Sequence, residues 1–112
     1  MKHKKVFIIA EAGVNHNGSL KIARKLIDEA VKAGVDAVKF QAFTAETLAT
    51  KNAAKAQYQT KTTEENESQY EMLKKLELDQ DKHKILKKYC EQNNIIFISS
   101  PFSVENVDFL TE

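Results

Sequence analysis

The sequence predicts an α/β fold with parallel strands, on three observations. Val6 to Ala10, Ala37 to Phe43 and Ile95 to Ile98 are short apolar segments rich in β-branched and aromatic residues, the pattern of strands buried on both faces. The stretches between them carry helical periodicity instead. Polar residues gather at the carboxyl end of each strand and stay out of the apolar helix stripes. A β-α-β-α-β order with parallel strands leaves two architectures open, the doubly wound sheet and the (β/α)8 barrel. Both place their chemistry at the carboxyl ends of the strands.

The first strand is expected over Val6 to Ala10 and ends abruptly at "AEAGVNHNGS". The first helix follows, with Leu20, Ala23, Leu26, Ile27, Ala30 and Val31 on one stripe, Ser19 as N-cap and Gly34 as C-cap. After the second strand comes a polar stretch without a period, Thr44 to Asn66, longer than a mere connection needs. It is expected to cover a site. A second helix is expected from Ser68 to Glu77 with Met72, Leu73 and Leu76 inward, and Tyr70 beside them in the core. A third is capped by Asp79 and buries Ile85, Leu86, Tyr89 and Cys90, while the lysine-rich "KKLELDQDKHK" reads as a solvated helix face. The third strand closes at "SSPFS", and Ser103 caps a helix from Val104.

Composition excludes several function classes. The chain has 112 residues, 42% of them hydrophobic, enough for one modest core. Its 17 Lys and Arg against 16 Asp and Glu give a net charge of +1 with no basic face for nucleic acid or an acidic membrane. Cys90 is the only cysteine, so no internal disulfide forms, and its place on an apolar stripe marks it for burial rather than catalysis. The apolar run before Glu11 is too short for an export signal. A cytoplasmic setting is expected.

The candidate site residues are Glu11, Lys39, Gln41, Ser99 and Ser100, all at strand ends. In the second strand the period of two puts Val38 and Phe40 on one face and Lys39 and Gln41 on the other. A lysine facing inward must be paired or must hold an anion, because an unpaired buried ammonium is too costly. Glu11 on the neighbouring strand is one candidate partner, and an anionic ligand is the other. Asn15, Asn17 and Gly18 suit a tight turn into a helix. His16, with no second His or Cys at ligand spacing, reads as a hydrogen-bonded loop histidine.

Three ordered blocks, "IIAEAGVNHNGSLKIARKLIDEAVKAGVDAVKFQAF", "ESQYEMLKKLEL" and "IIFISSPFS", resemble the amino-terminal part of the sialic acid synthase family, the phosphoenolpyruvate-dependent enzymes that make N-acetylneuraminate and related nonulosonic acids. The resemblance covers nearly the whole chain. It implies a (β/α)8 barrel of which residues 1–112 supply about the first three βα units. It also implies a divalent metal, manganese or magnesium, whose ligands lie outside this chain, and two small-molecule substrates, phosphoenolpyruvate and a 2-acetamido sugar such as N-acetylmannosamine. On the same ground Lys39 would hold the anionic groups of phosphoenolpyruvate, Gln41, Ser99 and Ser100 would bind substrate, and Glu11 would be the acid/base or water-positioning carboxylate. Family members often carry threonine where this chain has Ser100. The parent enzyme is expected to be a homodimer.

The chain stops at "VDFLTE", inside an expected helix and after three strands of a fold that needs eight, so it reads as the amino-terminal part of a longer enzyme. Two other readings stand beside it. One is a barrel enzyme for another phosphorylated substrate, such as a sugar-phosphate aldolase, and the other is a noncatalytic piece that associates through its open strand edge.

Overall fold

A computed structural model of the chain describes residues 6–48 and 63–111. The elements in order are β1 (Ile9–Gly13), α1 (Leu20–Ala33), β2 (Ala37–Ala42), α2 (Thr63–Leu76), α3 (Gln80–Gln92), β3 (Ile96–Pro101) and α4 (Val104–Leu110). The three strands form one parallel sheet in the order β1-β2-β3. Among the described residues no helix is long and apolar enough to cross a membrane.

Helix α1 forms as its sequence dictates. Ser19 accepts the Ile22 N–H at 3.1 Å, and Gly34 takes the left-handed conformation at φ 76° that closes the last turn. Ala23, Ile27 and Ala30 are buried against the sheet, whereas Val31, placed on the stripe by periodicity, lies at its margin and is exposed. Asp79 caps α3 by accepting the Lys82 N–H at 2.8 Å. The buried stripe of α3 is His83, Leu86 and Cys90 at i, i+3 and i+7. Ile85 faces solvent and Tyr89 is half-buried. Leu78 and His83, inside the supposedly solvated lysine-rich segment, are both 2% exposed. Tyr89 instead donates to Asp28 Oδ1 at 2.5 Å, joining α3 to α1, with the Arg24 guanidinium over its ring.

The core lies between one face of the sheet and helices α1 and α3. Val38, Phe40, Ile27, Leu86 and Cys90 are almost wholly buried there. Phe40 stacks on Phe97 with ring centroids 5.7 Å apart. Each such large side chain contributes about 1.5–3 kcal/mol by leaving water.

The strands sit further along the chain than their apolar runs suggest. β1 begins at Ile9 because its partner begins there: Ile9 pairs with Ala37, and Ile8 is locked to Asp36 through N–H to Oδ2 (2.8 Å) and through the Asp36 N–H to its carbonyl (2.9 Å). Val6, Phe7 and Ile8 precede the ladder and are exposed. β1 then continues through Glu11, which stands within the strand rather than after it. β3 likewise runs past Ile98 to Pro101, because its ladder with β2 continues from Ala37↔Ile96 to Ala42↔Pro101. α2 starts five residues ahead of the expected Ser68 and ends at Leu76; Met72 is exposed, Tyr70, Leu73 and Leu76 half-buried. Of the expected covering segment, residues 45–48 form a helical turn and 63–66 belong to α2. Residues 49–62, including Tyr58, lie outside the described residues.

Candidate functional site

The register of the sheet decides which side chains meet. Glu11 pairs with Lys39 and Lys39 with Ile98; one pleat further, Gln41 pairs with Ser100. Residues paired in a parallel ladder share a face, so Glu11, Lys39, Gln41 and Ser100 stand together on the face away from α1 and α3. The burial of Val38, Phe40 and Ala42 against that of Lys39 and Gln41 shows the same alternation. Lys39 Nζ lies 3.3 Å from Glu11 Oε1, with 35% and 51% of the two side chains accessible. An ion pair this open to water contributes only about 0–1 kcal/mol to stability. It leaves the ammonium free to accept a better anion.

Gly13 sets the near edge of this face. The β1–β2 register shifts between Glu11 and Gly13, a bulge that re-aims the strand end. Gly13 has φ 54°, and a Cβ there would stand 3.2 Å from Glu11 Oε2 and 3.6 Å from Gln41 Nε2. The two polar side chains therefore approach each other over bare backbone.

Ser99 is not brought to this face. It pairs with Phe40, on the helix side, and its Oγ lies 2.9 Å from His83 Nε2. Of the two serines, only Ser100 shares a face with Lys39 and Gln41.

The turn after β1 is a scaffold. Asn15, Asn17 and Ser19 N–H groups donate to the carbonyls of Ala12, Val14 and His16. Fully buried His16 accepts the Gly18 N–H on Nδ1 at 2.8 Å, which puts the ring proton on Nε2, a buried atom with no hydrogen-bond partner among the described residues. Burial holds its pKa below the usual 6.5, and the nearby His83 and Lys82 act in the same direction. Gly18, at φ 77°, sits so close to the end of α2 that a Cβ would collide with the Lys75 carbonyl oxygen, and its own carbonyl accepts from Lys82 Nζ at 3.3 Å.

Two buried polar residues outside the sequence-derived set hold the strand ends from the helix side. His83 is one. The other is Asn106, whose Nδ2 donates to the Ala42 carbonyl at 2.9 Å alongside the Phe102 N–H at 3.0 Å, tying α4 to the ends of β2 and β3. The signal for His83 is its i, i+3, i+7 spacing with Leu86 and Cys90; Asn106 carries none, since a polar residue in a short helix ordinarily faces water. Among the described residues no three His, Cys, Asp or Glu side chains come together as a metal site, and Glu11 is the lone carboxylate on the polar face. These residues by themselves do not fit a metal.

Residues 26–112 match the NeuB family. The chain belongs to the NeuB family. Among curated relatives of this NeuB chain, the N,N'-diacetyllegionaminic acid synthase of Campylobacter jejuni is 53% identical over 109 residues, covering 97% of this chain and 33% of that protein. The enzyme of the same name from Legionella pneumophila is 49% identical, covering 93% of this chain and 29% of its own length. Among solved structures, the N-acetylneuraminic acid synthetase of Leptospira borgpetersenii superposes with a TM-score of 0.77 at 35% identity, over 96% of this chain and 33% of that one. The NeuB chain thus spans about a third of the relatives it matches. Its three strands, in sequential parallel order with helices on one face and polar side chains at the carboxyl end of the other, form the opening βα units of a (β/α)8 barrel.

Proposed function

We propose that this chain is the amino-terminal part of a nonulosonic acid synthase barrel, whose remaining units and metal ligands lie beyond residue 112, and which condenses phosphoenolpyruvate with a 2-acetamido sugar. The observation that carries the reading is the convergence of Lys39, Glu11, Gln41 and Ser100 on one open strand-end face, in a chain about half identical to legionaminic acid synthases. In this reading the C2=C3 π electrons of phosphoenolpyruvate form the new C–C bond from C3 to the open-chain aldehyde carbon of the sugar. The aldehyde C=O π bond opens, its oxygen takes a proton from solvent to become a hydroxyl, and C2 is left as an oxocarbenium centre. Water then adds at C2, and the C2–O bond to phosphate breaks to release phosphate and leave the 2-keto acid.

Each residue has a role its position allows. Lys39 exchanges the Glu11 carboxylate for the carboxylate or phosphate of phosphoenolpyruvate, another charge-assisted partner. Glu11, released but adjacent, takes the proton from the water that adds at C2. Gln41 and Ser100 supply neutral hydrogen bonds beside it and fix the substrate's orientation. Ser99 takes no direct part, because its hydroxyl is bound to His83 on the other side of the sheet. A divalent cation, for which the described residues of this chain supply no site, would if bound by the rest of the enzyme add Lewis-acid polarisation of the sugar aldehyde. The parent enzyme is read as a cytoplasmic homodimer.

The test uses the full-length gene product with phosphoenolpyruvate, manganese and either N-acetylmannosamine or a diacetamido sugar, with phosphate release as the signal. Lys39→Met keeps the side-chain length and removes the charge, and kcat/KM for phosphoenolpyruvate is expected to fall about a hundredfold or more. The KM of the sugar changes much less. Absence of phosphate release by the parent, or a Lys39→Met variant with unaltered kinetics, overturns the reading.

A further inference from the structure

We propose that His83 is a positioning residue for this site: through Ser99 it fixes the carboxyl end of β3 so that Ser100 stands beside Gln41. The proposal rests on the functional reading above and adds a residue from the other side of the sheet.

Ser99 and Ser100 are consecutive, so they point to opposite faces of β3, and whatever fixes the Cα–Cβ direction of one sets the other. Among the described residues Ser100 has no side-chain anchor of its own; its strand is held on the β2 side by the backbone ladder, which ends where Phe102 N–H meets the Ala42 carbonyl. A ladder along one edge fixes spacing and register but leaves the strand free to roll about its axis. A side-chain tether off the plane of the sheet removes that freedom. The Ser99–His83 hydrogen bond is such a tether.

His83 is built to be a rigid acceptor. Its Nδ1 faces two carbonyl oxygens, Leu78 at 3.0 Å and Asp79 at 3.3 Å. Neither can donate, so Nδ1 carries the ring proton and Nε2 presents a lone pair. The Ser99 hydroxyl donates to it at 2.9 Å. The ring is gripped edge-on by Phe97 and Phe109, each with its centroid 5.8 Å away and nearly perpendicular, at 87° and 83°. It is 2% exposed and cannot turn away. An apolar side chain would fill this space as well; only an imidazole of this tautomer, or an amide of similar reach, also holds the serine.

The experiment compares four variants of the full-length enzyme by steady-state kinetics and thermal unfolding. His83→Phe keeps a ring between Phe97 and Phe109 but removes the acceptor, and Ser99→Ala removes the donor. Each is expected to raise the KM for phosphoenolpyruvate about tenfold with kcat changed far less, the scale of one lost neutral hydrogen bond. The double variant is expected to be no worse than either single one, because both delete the same bond. His83→Gln, which returns an acceptor at the reach of Nε2, is expected to restore the KM to within about threefold of wild type. Variants that lower Tm but leave the KM in place overturn the proposal, as do single effects that multiply in the double variant. Should His83→Phe fail to fold, Ser99→Ala and His83→Gln decide alone. Lys39→Met runs in the same assay: if it too is silent, the functional reading falls and this inference with it, whereas a large Lys39→Met effect beside a silent Ser99→Ala overturns the inference only.

Discussion

On the helix side of β2, Val38, Phe40 and Ala42 are sealed to 1%, 0% and 2% exposure, while one residue along, Lys39 and Gln41 stand half-open on a face carrying charge. The same backbone thus supports two environments that differ in what they do with free energy. The helix side removes apolar surface from water and holds the strands in place. The other side leaves a half-open ion pair that adds little stability and that the proposed function assigns to substrate binding. On the proposed function, stability and chemistry are divided between faces of one strand, so substitutions that alternate along β2 should alternate in kind.

The largest effect is expected from Phe40→Ala, which leaves a cavity against Phe97 and His16 and should destabilise by about 3–5 kcal/mol in denaturant titrations. Gln41→Ala, its neighbour, should change stability by about 0.5 kcal/mol or less while weakening phosphoenolpyruvate binding. Similar stability losses at the two positions would erase the division between faces. Next comes Gly18→Ala, where the left-handed backbone alone costs about 1–2 kcal/mol and the clash with the Lys75 carbonyl adds to it. Circular dichroism melts should show it well below wild type, and an unchanged Tm would mean that the turn and α2 are not tightly apposed.

A smaller effect concerns pH. Burial lowers the pKa of both His16 and His83 below the unfolded value of 6.5. Above pH 6.5 both are neutral in either state and the stability is complete; as pH falls from there through the lower folded values, the unfolded chain takes up protons the folded one refuses, and stability declines. Denaturant midpoints at pH 7.5 and 5 should reveal the slope, made shallower by His83→Gln, and identical slopes in the two proteins would remove His83 as a source. The smallest effect is at Cys90, whose burial pushes the thiol up to about 11. Native protein should resist iodoacetamide at pH 8, and labelling as fast as in urea would contradict its burial.

Much of this division was legible in the sequence because period two is a local property. Lys39 and Gln41 separate from Val38 and Phe40 by counting, and Glu11 meets Lys39 because parallel neighbours of similar length align their ends. The caps Ser19, Asp79 and Ser103 were legible for the same reason: each is satisfied by an N–H three residues away. The errors fall where partners are distant. β1 and β3 are bounded by their pairing with β2 and not by their own apolar runs, so Val6 to Ile8 were assigned to a strand they do not join. Alternation separates Ser99 from Ser100 only once the ladder with β2 carries the strand past Ile98, and the register then decides which of them faces Lys39. His83 and Asn106 escaped notice because a buried polar side chain is recognised by its partner, and Ser99 and the Ala42 carbonyl lie 16 and 64 residues away.

Pro101 gives the edge of β3 that is unpaired among the described residues a particular character. The N–H groups of Ile96 and Phe102 point to β2, where they meet Asp36 and Ala42, so by alternation those of Phe97, Ser99 and residue 101 point outward. Proline has no such group. A strand laid against this edge can bond the N–H groups of Phe97 and Ser99 but finds no donor at position 101, so the ladder it can form is one bond shorter there. For a foreign strand the missing donor is a stop, which shortens the template this edge offers for sheet-to-sheet aggregation. One imino acid thereby guards this edge against the wrong neighbour.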